Sequence, residues 1–286
     1  MSEDVTQPVI RTDIHSDENP TAFNYLKEVA FGFEFGEATE LIRKWDKDIY
    51  VKLHTVNNDG SSAAHNASDF AEVSAVVTEL NSLIDAIKIN LITPDATNNC
   101  VAETHAAKNS GACHKTGYSY PKLNVYITTR SRWETISGLD SGSNFGQFSV
   151  NYSTSTHFIS SGFCWIKADA TEAERKSLIR EEITQCLGLA KDSESYSDSI
   201  FYETSGDGGW NTSFSDLDKE IIQMLYDPRI ESGMDMAQAE RALKRPATMI
   251  AGTNWKFKED IPNNSRVDIQ ESRLTDRFTT THNQRS

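Results

Sequence analysis

The sequence holds no run approaching the roughly 18 to 20 apolar residues that a membrane-spanning helix needs, so no such helix is expected. Basic residues are in the minority: 28 Lys and Arg against 42 Asp and Glu give a formal charge of −14. Nucleic acid and anionic membranes are recognised through clustered Lys and Arg, and this balance excludes both as main partners. With 15 glycines and 7 prolines among 286 residues, the chain is neither fibrous nor low in complexity. Its opening stretch, Met1 to Pro8, is acidic and lacks the basic and apolar regions of a secretory signal.

Cysteine is scarce, at four residues, which excludes a disulfide-dense scaffold. Cys100 and Cys113 lie in a stretch rich in Asn, Ala, Lys and Gly that is too hydrophilic to bury. Two exposed thiols closing a short loop read as a disulfide worth roughly 3 kcal/mol, and hence as an oxidising compartment. His105 and His114 flank the pair, but the spacing matches no zinc ribbon or finger. Cys164 on an expected strand and Cys186 on the following helix read either as a second bridge or as two buried thiols.

What is present is a chain long enough for one large α+β domain. Residues 1–20 are polar with two prolines and read as a flexible arm, and 21–250 as the domain. Residues 251–286 read as a polar tail. Apolar positions recur at helical spacing over 22–45 with an interruption at 31–36, and again over 68–85, 171–187, 216–226 and 237–244. Alternating or β-branched runs predict strands over 48–53, 87–92, 122–129 and 162–167, with a weak edge strand around Phe148, Val150 and Tyr152. Trp45 and Trp165 sit on apolar stripes and are expected in the core.

The helix expected over 171–187 carries the strongest functional signal. Thr171 and Glu174 form a capping box, and Ile179, Ile183, Cys186 and Leu187 make its core stripe. Glu181 and Gln185 are four apart and share another face, with Glu182 beside them. In metallopeptidases a helical His-Glu-x-x-His places two imidazoles on one metal with the glutamate as general base. Laid on that pattern, Glu181 and Gln185 stand at the histidine positions and Glu182 at the catalytic glutamate. The ending Cys-Leu-Gly-Leu189 suits a sharp turn toward a third ligand, and Lys191 stands at that place, with Asp192 next to it.

The stretches Arg43-Lys-Trp45, Arg180-Glu-Glu-Ile-Thr-Gln-Cys-Leu-Gly-Leu189, Asp192-Ser193, Ser199-Ile-Phe201 and Leu225-Tyr-Asp-Pro-Arg-Ile-Glu-Ser-Gly-Met234 carry a resemblance. Over roughly residues 20 to 245 the chain resembles a proteobacterial family known as domain of unknown function 2927, some of whose members are labelled lipoproteins. The resemblance implies an exported protein without an established activity, whose leader peptide would be absent from this sequence. It also implies that Glu-Glu-x-x-Gln is the family's own pattern.

The fold expected from motif shape and element order is therefore zincin-like: a mixed sheet followed by a helical C-terminal part. Zinc prefers nitrogen and sulfur ligands, whereas two glutamates and an amide suit Ca²⁺ or Mg²⁺ better, so no resident metal is predicted. One reading makes Glu181, Glu182 and Gln185 the relic of a catalytic site in a protein that binds a protein or cell-envelope partner. A second keeps Glu182 as the general base of a hydrolase with an oxygen-rich site. Adjacent carboxylates on a helix point about 100° apart, which is poor geometry for an acid–base pair flanking one bond. A third is an assembly component docking through the C-terminal tail. Tyr196, Tyr202 and Trp210 in the polar loop after the helix, Asp192 at its start and Met234 in the turn after Pro228 complete the candidate binding residues.

Overall fold

The computed structural model describes residues 20–32, 40–57, 59, 61–94, 101–103, 122–129, 131–132, 134, 145–203, 210–244 and 281–284. Strands β1 (Ile49–Val56), β2 (Ile89–Pro94), β3 (Val101–Glu103), β4 (Lys122–Thr128), β5 (Gly146–Tyr152), β6 (Ile159–Lys167) and β7 (Thr281–Gln284) form one sheet in the order β3-β2-β1-β4-β6-β5-β7. β2, β1, β4 and β6 run parallel, and β3, β5 and β7 are antiparallel to their neighbours. The helices are α1 (Pro20–Ala30), α2 (Ala67–Leu83), α3 (Glu172–Gln185), α4 (Asp216–Leu225) and α5 (Met236–Leu243).

The sheet's register explains its core. Leu53, Val125, Cys164 and Phe148 lie in one row across four strands, and Leu91, Val51, Leu123, Gly162 and Val150 in another. Both rows are buried. β-Branched and aliphatic side chains at every second position give the strands one apolar face, and α2 and α3 lie side by side on it. The opposite face carries a stack of His54, Tyr126 and Trp165, with ring centroids 4.4 and 4.5 Å apart. Trp45 and Trp165 are both buried, as their positions on apolar stripes predict.

Two expectations are corrected. Residues 41–45 are not helical: Ile42 exchanges backbone hydrogen bonds with Met234 and Gly233, and Lys44 forms a parallel bridge with Phe158. Their burial arises from pairing with a distant turn, which helical periodicity cannot reveal. The polar tail is not wholly unstructured, because Thr281–Gln284 add a strand to β5. Main-chain pairing needs no apolar side chains, so the polar composition of the tail carries no sign of it. No described helix is long and apolar enough to cross a membrane.

Candidate functional site

Helix α3 begins at the expected capping box, with Thr171 and Glu174 bonding each other's backbone amides. It then runs back behind the sheet. One side seats Cys186 against Cys164 and Gly162. The other side meets α2 through charge pairs: Arg175 to Asp69 at 2.9 Å, and Arg180 to Glu72 at 3.0 Å and Glu79 at 2.6 Å. The Arg180 guanidinium also lies over the Phe214 ring. Every residue from Ser177 to Gln185 is buried, so beyond its first turn α3 is enclosed on all sides instead of presenting a polar face to a cleft.

This enclosure decides the state of the motif. Glu181, Glu182 and Gln185 are only 1%, 2% and 1% exposed. A Cβ at Gly146, the first residue of β5, would overlap the Glu182 carboxylate and come within 2.7 Å of Leu178. Glycine at that position is therefore what lets the glutamate lie flat under the strand. Gln185 donates through its amide to Asp192 at 2.6 Å. Among the described residues no group of three or more His, Cys, Asp or Glu side chains is placed to hold a metal ion.

The close fit yields a direct test. Gly146→Ala should cost about 2 kcal/mol, the usual scale for overpacking a filled core. In a Glu182→Ala background the added methyl finds room, so the double substitution should cost at least about 1 kcal/mol less than the sum of the singles. Urea unfolding of the four proteins measures this. Strictly additive costs would show that the carboxylate does not lie over Gly146.

The other sequence candidates fall into separate places. The loop after α3 is tied to α1: Ser193 and Ser195 donate to Glu28, and Tyr196 packs edge-on against Tyr25 at 4.6 Å. Tyr202 bridges back to Ser193, and Trp210 meets Phe145 edge-on. Lys191 donates its backbone amide to Val29. Met234 is partly buried and packs against the core. Its turn abuts His157 and pairs through its backbone with Ile42, whereas Glu182 abuts Gly146 in β5. Cys100 and Cys113 lie outside the described residues. Cys164 and Cys186 are not bridged: they are free buried thiols 3.5 Å apart, and burial, then the neighbouring thiol, pushes the Cys164 thiol up.

Sequence reasoning missed a knot at the end of α3. Trp45 donates its indole N–H to the Cys186 carbonyl at 2.9 Å, and the Tyr226 hydroxyl donates to the Leu187 carbonyl at 2.9 Å. The Lys44 ammonium donates to the carbonyls of Leu225 and Ile230. A second buried chain runs from the Tyr25 hydroxyl to Ser199 and from Ser199 to Asp218, both at 2.6 Å. The segments Arg43-Lys-Trp45, Cys186-Leu-Gly-Leu189 and Leu225-Tyr-Asp-Pro-Arg-Ile230 are thus three strands of one clamp. The signal was present in the sequence as distinctive motifs, but their mutual contact was not.

Residues 21–245 match the pattern of a family described as protein of unknown function (DUF2927). The chain belongs to that family. The match covers α1 through α5 and every clamp segment, and it ends before the segment that forms β7. No curated protein matches this DUF2927 chain.

Proposed function

We propose that this DUF2927 protein is an exported, zincin-like scaffold that works by binding a protein or cell-envelope partner, without cleaving it. The observation that carries this reading is the closure of the motif. A general base must reach a substrate proton within hydrogen-bond distance, directly or through one water. Glu182, at 2% exposure and seated under Gly146, offers no such approach in this structure. Lys191 at the third-ligand position and the imidazole-free helix point the same way. Two features support the zincin-like ancestry: a mixed sheet ending in an antiparallel edge, and a helix with Glu-Glu-x-x-Gln directly after the last parallel strand.

Metal analysis and a peptide-library digest of the full chain test the proposal. Purified protein should contain no stoichiometric metal and cleave no peptide, and Glu182→Gln should leave both results unchanged. Stoichiometric metal that is lost in Glu182→Gln, or cleavage that falls more than tenfold in it, would replace this reading with the hydrolase.

A further inference from the structure

Strand β5 has β6 on one side and only the four residues of β7 on the other. The two core rows of the sheet run apolar as far as β5 and then change character. Val150 is followed by Thr281, and Phe148 by Asn283. Val150 and Phe148 are 1% and 0% exposed and belong to the hydrophobic core, so this is the apolar side of the edge, although Gln147 and Ser149 on the other side are buried as well. On the opposite side Ser149 and Gln147 stand in register with His282 and Gln284. The edge therefore alternates apolar and polar, whereas the segment seated on it is polar at every position.

Cross-strand apolar pairs contribute roughly 0.2 to 1 kcal/mol each relative to small residues, and Asn is disfavoured in strands. The tail forgoes both pairs. Four residues is also near the short end of strand lengths. Such a strand covers an edge that would otherwise invite aggregation, and it holds that edge mainly through its backbone and its tether.

We propose that the outer edge of β5 is a docking site for an extended segment of a partner protein. The segment enters antiparallel, apolar opposite Val150 and Phe148 and polar opposite Ser149 and Gln147. Thr281–Gln284 is the resident occupant in cis and is displaced when the partner segment arrives. The inference goes beyond the reading of a non-cleaving scaffold and does not rest on the closed motif, since it follows from strand register alone. Cleavage of a peptide would overturn that reading and leave this one standing.

The experiment uses the full chain and two synthetic octapeptides, Thr-Thr-Thr-His-Asn-Gln-Arg-Ser from residues 279–286 and the same peptide with Val in place of Thr281 and Asn283. A chain variant carrying His282→Pro and Asn283→Pro cannot form the tail strand but leaves the domain untouched. The valine peptide should bind the full chain roughly tenfold more tightly than the native peptide, the scale of two apolar pairs. Both peptides should bind the proline variant at least tenfold more tightly than the unmodified chain. Hydrogen exchange should show the amides within residues 147–150 that face β7, every second one along the strand, protected in the unmodified chain, exposed in the variant and protected again by the valine peptide. Exchange that does not differ between the two chains, or equal affinity for the two peptides, would overturn the proposal. A concentration-dependent dimer lost in the proline variant would make a second copy the occupant and overturn the partner assignment.

Discussion

Gly188→Ala is expected to destabilise the protein by about 4 kcal/mol, the largest effect of any single methyl group in the described fold. Gly188 has φ +115°, a conformation that costs an L-residue about 1 to 2 kcal/mol. An added Cβ would also overlap the backbone carbonyl oxygen of Arg43, which no rotamer change can move aside. Relief requires residues 43–45 to retreat from the end of α3. That retreat stretches the bond from Trp45 to Cys186 and displaces the Lys44 ammonium from its carbonyls. Buried polar groups left unmade cost about 1 to 3 kcal/mol each, so one partial loss plus the backbone strain reaches the stated figure. Against a typical total stability of about 5 to 15 kcal/mol this is a large fraction. Gly233→Ala provides the contrast. Its φ is +87°, but the obstacle is the His157 ring at 2.9 Å, a side chain in a surface turn that can rotate away, so about 1 to 2 kcal/mol is expected. Chemical denaturation of both variants checks the ranking; equal costs would mean that the Arg43 carbonyl is not fixed by the clamp.

The contrast between these two glycines also shows what the sequence carried and what it did not. Strands β1, β4 and β6 and helices α2, α4 and α5 follow from periodicity, because each buries one continuous face. The capping boxes at Thr171 and Ser215 mark two helix starts directly in the local sequence. The candidate site was legible as a set of residues but not as a state. Glu181, Glu182 and Gln185 read as a candidate site on a face apart from the core stripe, yet all three are buried, and so is Arg180. Their polar side is closed by elements from elsewhere in the chain: α2 supplies Glu72 and Glu79, β5 supplies Gly146, and the following loop supplies Asp192. No local pattern encodes such long-range satisfaction of a buried polar face. The extended segment 41–45 and strand β7 were hidden for a related reason, since both are held by backbone pairing with distant residues. Two of the motifs that carry the family resemblance, Arg43-Lys-Trp45 and Leu225-Tyr-Asp-Pro-Arg-Ile230, are the two jaws of the clamp around Gly188.

Stability should rise with pH between about 8 and 10, and Lys44 is the reason. Burial pushes its ammonium down from the ordinary 10.5 to about 8, with Asp227 and Glu231 opposing the shift. Below pH 8 the lysine is protonated in the folded and unfolded chains alike, and the cost of burying its charge is borne in full. Between about 8 and 10.5 the folded chain releases the proton while the unfolded chain retains it. The unfolded state then binds more protons, so unfolding becomes less favourable by up to about 1.4 kcal/mol per pH unit. Over the whole interval the gain approaches about 3 kcal/mol. Tyr25 and Tyr226 act in the opposite sense, because burial raises both phenols and favours the folded chain only while they stay protonated. Their contribution falls away above pH 10 and sets the upper limit of the useful window. Urea midpoints at pH 7, 8, 9 and 10 for the unmodified chain and for Lys44→Met separate the terms. Methionine keeps the length of the stem but cannot titrate, so its curve should lack the rise. At pH 7 the variant also loses the donor to the Ile230 and Leu225 carbonyls, a cost of about 1 to 3 kcal/mol, set against the relief of a buried charge. Parallel curves for the two proteins would show that Lys44 keeps its proton in the folded state, and that the jaws of the clamp are joined by an ion across the entire range.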